Sequence, residues 1–243
     1  MLIEVCANSF SSAIEAFEGG AQRVELCQDL KNGGTTPSAA TIQLAVERLK
    51  KRGLDIFVLI RPRPGNFYYT NSEFEVMKRD ILFCKENNVD GVVIGVLTNE
   101  NKIDLDKTAA LVEISQPMQV TFHRAFDYVN QPFEALEQII NLGIQRILTS
   151  GQQAKALDGN VLIKQLIKKA DNRVIILPGS GINSKNIEEL AKMTNAKEFH
   201  LSAKKIISGQ SESRDVQNLE NEYYLTDREE VKKVAEALKR NGD

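Results

Sequence analysis

The sequence predicts an α/β fold, a single-domain (β/α)8 barrel of the TIM type spanning residues 1–243. Three observations predict it. Short β-rich runs alternate with helical patterns about every 20 to 35 residues along the whole chain. Most of these runs are nearly continuous in apolar residues, as in Phe57-Val58-Leu59-Ile60 and Val174-Ile175-Ile176-Leu177, the pattern of parallel strands buried on both faces. The turn after the first strand reads Ala7-Asn8-Ser9, without the glycines of a dinucleotide-binding open sheet, so the doubly wound alternative is set aside.

Taken in order, strands are expected near Leu2–Ala7, Arg23–Cys27, Ile56–Ile60, Gly91–Ile94, Gln119–Phe122, Arg146–Thr149, Val174–Leu177 and Glu198–Leu201. The helices between them carry start signals. Ser12 with Glu15 and Thr70 with Glu73 have capping-box spacing, and Thr36-Pro37 puts proline at a first helical position. Asn183 precedes a helix ending near Thr194, and Thr226 with Glu229 opens a last helix ending near Arg240. Gly20, Gly53 and Gly143 precede strand entries. Residues 1–203 form the barrel core in this reading. Residues 204–243 supply an irregular polar loop, densest over Ser208–Glu222, and the final helix.

Composition narrows the function. A net charge of -2 offers neither a basic field for nucleic acid nor a polybasic membrane patch. The chain enters a strand at once, so neither a signal peptide nor a membrane span is expected. Three cysteines, an odd number, argue against a disulfide framework and fit a reducing cytoplasm.

The functional signal is a repeat on strands. Glu4-Val5-Cys6, Glu25-Leu26-Cys27 and Glu198-Phe199-His200 each place a carboxylate and a metal-type ligand on one face and an apolar residue on the other. Barrel closure makes the eighth strand the neighbour of the first, which would join the three into one wall. Other strands also finish in polar residues: Arg61 and Arg63, then His123-Arg124 with Asp127, Thr149-Ser150, Gly179-Ser180-Gly181, and Ser202. Strand ends are the working face of such barrels.

The segments EVCANS, RVELC, IRPRPGNFYY, TFHRAFD, RILTSG and PGSGIN, spread from residue 1 to about residue 203, resemble those of the CutC family, often called copper homeostasis proteins. The resemblance implies a TIM-type barrel, a cytoplasmic location, self-association and a copper-binding role, with Cys6 and Cys27 matching the family's proposed ligands. It departs at Pro64 and Asn66, where a glycine and an acidic residue are expected.

Each constellation also has a plainer reading. Cys6 and Cys27 suit Cu(I), with His200 as a third ligand by strand adjacency, but free cysteines are commonly small core residues. Cys84 is read as core. Glu4 and Glu25 could serve as general acid or base, or could join Glu198 and Arg23 in a structural ion cluster. Arg61, His123, Arg124 and Asp127 compose an enzyme-like group, for which the alternative function is a lyase, isomerase or hydrolase acting on a small anionic or phosphorylated substrate. The plainer reading makes Arg124–Asp127 a loop-fixing salt bridge. Arg63, Gly179, Ser180, Gly181 and Ser202 complete the anion-binding candidates, the glycines forming a cradle at a helix N-terminus.

Overall fold

A computed structural model describes residues 1–208 and 222–240. The strands are β1 (Leu2–Ala7), β2 (Arg23–Leu26), β3 (Asp55–Leu59), β4 (Gly91–Ile94), β5 (Gln119–Phe122), β6 (Arg146–Thr149), β7 (Ile175–Pro178) and β8 (Glu198–Leu201). The helices are α1 (Phe10–Glu18), α2 (Ala39–Arg48), α3 (Asn71–Glu86), α4 (Leu105–Ser115), α5 (Pro132–Asn141), α6 (Asn160–Ala170), α7 (Ile187–Thr194) and α8 (Arg228–Arg240). All eight strands are parallel, in the order β7-β6-β5-β4-β3-β2-β1-β8. A parallel bridge between Gly179 and His200 joins the two outer strands and closes the barrel. This is the expected fold, with strand ends within a residue or so of expectation.

The apolar strand residues explain the layering. Val5, Val24, Leu26, Ile56, Val58, Val92 and Ile94 point outward into the main core shared with the helices. Alternate positions point into the barrel. There Cys6, Cys27, Phe57, Leu59 and Val93 form a separate small apolar cluster. Gly91 lets the barrel hold Phe57, since a Cβ there would lie 2.5 Å from the ring.

A further set of interior positions is charged. Arg23, fully buried, donates from Nε to Glu4 and from Nη2 to Glu198 at 2.5 Å. Arg146 Nε reaches Glu198 at 2.9 Å, and both guanidinium groups lie against Phe57, 4.9 and 5.3 Å from its ring centre. A buried charge is tolerated when its partners and hydrogen bonds are all in place. Here Arg23 and Arg146 face Glu4 and Glu198 across strands that are far apart in sequence.

Several local expectations change. Thr70 and Glu73 do form a reciprocal capping box on α3. The cap of α1, however, is Ser9, which accepts from Ser12 N, because Ser12 is buried and its hydroxyl bonds Asn8 while accepting from Thr226 N. Ser38 caps α2, so Pro37 precedes the cap instead of opening the helix. Asp227 replaces Thr226 at the start of α8, accepting from Glu229 N. The expected irregular loop after residue 203 is instead flanked by paired strands, β9 (Lys204–Ser208) antiparallel to β10 (Glu222–Thr226). Residues 209–221 of that loop lie outside the described residues. Cys84 is core, as expected.

Arg23→Leu should remove about 3–5 kcal/mol of stability, because Glu4 and Glu198 would remain buried with one cationic partner fewer. Urea denaturation followed by circular dichroism measures it. A loss below about 1 kcal/mol would show that the cluster does not hold the barrel.

Candidate metal centre and the cavity above it

The strand register decides which wall residues meet. Cys6 pairs with Glu25 and not with Cys27, and Glu4 pairs with both Arg23 and His200. The parallel strands are therefore staggered, and Cys27 sits one inward-facing position above Glu25. Its sulfur nonetheless comes within 3.5 Å of the Cys6 sulfur. Ligand atoms of Cys6, Glu25 and His200 all lie within 4.8 Å of one another. His200 Nδ1–H donates to Glu4 Oε1 at 2.7 Å, which turns Nε2 toward Glu25 Oε2 at 3.7 Å. Gly179 makes space for this ring, with His200 Cβ and Cδ2 3.3 Å from where its own Cβ would stand.

Burial and charge set the protonation of the wall. Burial pushes the Glu4 carboxyl up, but Arg23 and His200 outweigh it and hold it at about 2. Burial likewise opposes a charged His200, yet hydrogen bonds to Cys6 and Glu4 and the charges of Glu25 and Glu4 keep its imidazolium well above the usual histidine range. The hydrogen bond to Cys27, burial and the neighbouring Glu25 raise the Cys6 thiol far above its ordinary value. Burial raises Glu25. Glu4 is thus tied to Arg23 and His200, which suits a positioning role better than proton transfer.

A cavity of about 470 Å³ opens above the wall at the strand ends. Cys6, Glu25 and His200 form part of its floor, and Arg61, His123, Arg124, Ser180, Gly181 and Ser202 line the rest. His123 is 5% exposed. Its Nδ1 accepts from Ala125 N–H at 3.1 Å, so the ring proton sits on Nε2, which has no partner among the described residues. Burial, reinforced by Arg61, lowers this histidine to about 3. Burial therefore favours the neutral ring, which argues against the expected proton shuttle at neutral pH. Phe67 packs against it with ring centres 4.8 Å apart and planes tilted by 49°, and also lies under the Arg61 guanidinium at 5.2 Å.

The arginines are less available than their spacing suggests. Arg61 Nη1 donates to Asn32 O and Gly34 O, and Nη2 to Gly65 O, so the fork that would grip an anion secures loops. Arg63 bonds Glu73 at 2.5 Å together with the carbonyls of Pro64, Asn66 and Tyr68, and does not line the cavity. Arg124 joins Asp127 at 2.8 Å and Ser150 at 3.0 Å. Asp127 also accepts from Thr149 Oγ1, Ser150 N and Ser150 Oγ, the loop-fixing arrangement. The helix after Gly181 begins only at Ile187, because Asn183 and Asn186 fold the intervening turn onto the Gly181 carbonyl and each other. The glycine turn therefore stands away from a helix N-terminus.

The CutC family model matches residues 1–205. The chain belongs to the CutC family. A CutC family protein from Parabacteroides distasonis is 48% identical over 239 residues, covering 95% of this chain and 98% of its own. The copper homeostasis protein cutC homolog of Mus musculus is 46% identical, covering 84% of this chain and 74% of its own length. A crystal structure of a CutC protein from Streptococcus agalactiae superposes with a TM-score of 0.80 at 34% identity, covering 83% of this chain and 98% of that one. A thiamine phosphate pyrophosphorylase from Pyrococcus furiosus, at a TM-score of 0.62 and 13% identity, shares the fold alone.

Two contributors to this CutC-family cavity are not singled out as site residues by the sequence. Phe67 falls within the IRPRPGNFYY segment but reads there as one aromatic in a loop, and its packing on His123 and Arg61 exists only after folding. Gly95 admits the His123 ring, since a Cβ there would stand 2.2 Å from Cε1. The alternation of Gly91 and Val93 on β4, continued by Gly95 just after it, is the signal that could have found it.

The chain has two histidines, so nitrogen-15 histidine NMR resolves both states. Between pH 5 and 8 His123 should stay neutral with its proton on Nε2, while His200 stays charged. A His123 midpoint between pH 6 and 7 would refute the assignment. Because the unfolded ring takes up a proton near pH 6.5 and the folded ring only near 3, His123 lowers stability as the pH falls through that window.

Proposed function

We propose that this protein takes part in copper homeostasis by holding Cu(I) between the thiolates of Cys6 and Cys27, with His200 beside them. The observation that carries this reading is the 3.5 Å approach of the two sulfurs at the strand ends. Soft thiolates select Cu(I), which is satisfied by two or three such ligands. Copper is cargo here, and the cavity beside Cys6 gives it a path in and out. The relatives named for copper homeostasis support the same role. Cytoplasmic residence fits the free cysteines Cys6, Cys27 and Cys84, and among the described residues no helix is long and apolar enough to cross a membrane. Self-association belongs to this reading through the family resemblance. Acid–base catalysis on a small anion has weaker support, since Arg61 and Asp127 secure loops and His123 is neutral.

Anaerobic Cu(I) titration against a competing chromophoric chelator tests the proposal. The wild type should take one equivalent, and Cys6→Ser/Cys27→Ser should bind more than about 100-fold more weakly, beyond the effect of losing an outer-sphere partner. Ligand thiols must lose protons, and the Cys6 thiol is raised, so affinity should fall as the pH is lowered from 8 to 6. Equal weak binding by both proteins would rule out the cysteine pair.

A further inference from the structure

The wall offers a second donor set that differs in hardness from the sulfur pair. We infer that Cys6, Glu25 and His200 form an open three-ligand site for a borderline divalent cation, Zn2+ foremost. It shares Cys6 and His200 with the copper reading but does not rest on it, since two thiolates alone can hold Cu(I), Glu25 takes no part there and Cys27 is not needed here.

Four observations carry the inference. One sulfur, one carboxylate oxygen and one imidazole nitrogen lie within 4.8 Å of one another. The Glu25 Oε2 to His200 Nε2 separation of 3.7 Å is already near the ~3.3 Å edge of a tetrahedron with ~2.05 Å bonds. The donor set is mixed: a carboxylate is a poor ligand for Cu(I), whereas sulfur, nitrogen and oxygen together suit Zn2+. Its charge also matches once the ion displaces the Cys6 and His200 Nε2 protons, leaving a thiolate, a carboxylate and a neutral imidazole to supply two negative charges to a dication in a buried place. The second coordination sphere is in position, with Glu4 accepting from His200 Nδ1 at 2.7 Å, the carboxylate–histidine–metal arrangement that fixes a ligating ring. Finally, all three residues line the 470 Å³ cavity, so the fourth position of a tetrahedral ion faces open space and would hold water. Three protein ligands and an open position are the form of a zinc site that does chemistry, in contrast to a closed structural one.

The reduced, metal-free full chain should be titrated with Zn2+ against a chromophoric zinc chelator, and the loaded protein examined by zinc X-ray absorption. One ion per chain is expected, with a shell of one sulfur at ~2.3 Å and nitrogen or oxygen at ~2.0 Å. Cys27→Ser should retain Zn2+ affinity within a few-fold while losing Cu(I). Glu25→Gln should lose Zn2+ while keeping Cu(I), and Glu4→Gln should weaken Zn2+ by about 10–100-fold. Circular dichroism of the metal-free variants reports folding, and the wild-type absorption shell decides the matter should Glu25→Gln not fold. No zinc binding, a two-sulfur shell, or Glu25→Gln with wild-type zinc affinity would each overturn the inference. Failure of Cu(I) binding alone would leave it standing.

Discussion

Arg23 is the group on which the rest of the barrel interior depends. Its guanidinium is completely buried and bonds Glu4 on β1 and Glu198 on β8, and Glu198 continues to Arg146 on β6. The chain of charges therefore runs across β2, β1, β8 and β6. It also spans the closing seam, where main-chain pairing between β7 and β8 reduces to the Gly179–His200 bridge among the described residues. Glu4 relays the cluster upward to His200, so the rigidity of the charged layer fixes the orientation of the His200 ring. Structural ion cluster and functional wall are one continuous network, and the two readings of the glutamates describe its lower and upper ends.

The two histidines show how far environment outweighs residue type. Both are buried at strand ends and both border one cavity. His200 faces carboxylates and a thiol and is held charged; His123 faces Arg61, packs on Phe67, and is held neutral. The cavity thus has an ionic floor and a side wall where the unpaired N–H of neutral His123 stands among the Arg61 and Arg124 side chains. Arg61 through Nη1 and Nη2, Arg63 and Asp127 bond to backbone and neighbouring side chains, which fixes the loops at the strand ends.

The sequence by itself determined the fold and the wall that carries the candidate site. Alternating apolar strands with polar ends require a closed barrel, and the Glu-x-Cys and Glu-x-His repeats have a period of two that any strand obeys. That is why the wall of Glu4, Cys6, Glu25, Cys27, Glu198 and His200 could be read before folding. Caps were less secure: Thr70 was readable because its box is local, whereas Ser12 was claimed by Thr226, a residue 214 positions away.

Only the tertiary structure decided what the wall residues do together. The stagger of parallel strands is set by barrel closure and not by any one strand, and it places Cys6 opposite Glu25 while leaving Cys27 one step higher. Protonation states were likewise undetermined, because burial and charge from distant segments fix them. A sequence can name the ligands on each strand; the shear between strands chooses which of them share an ion.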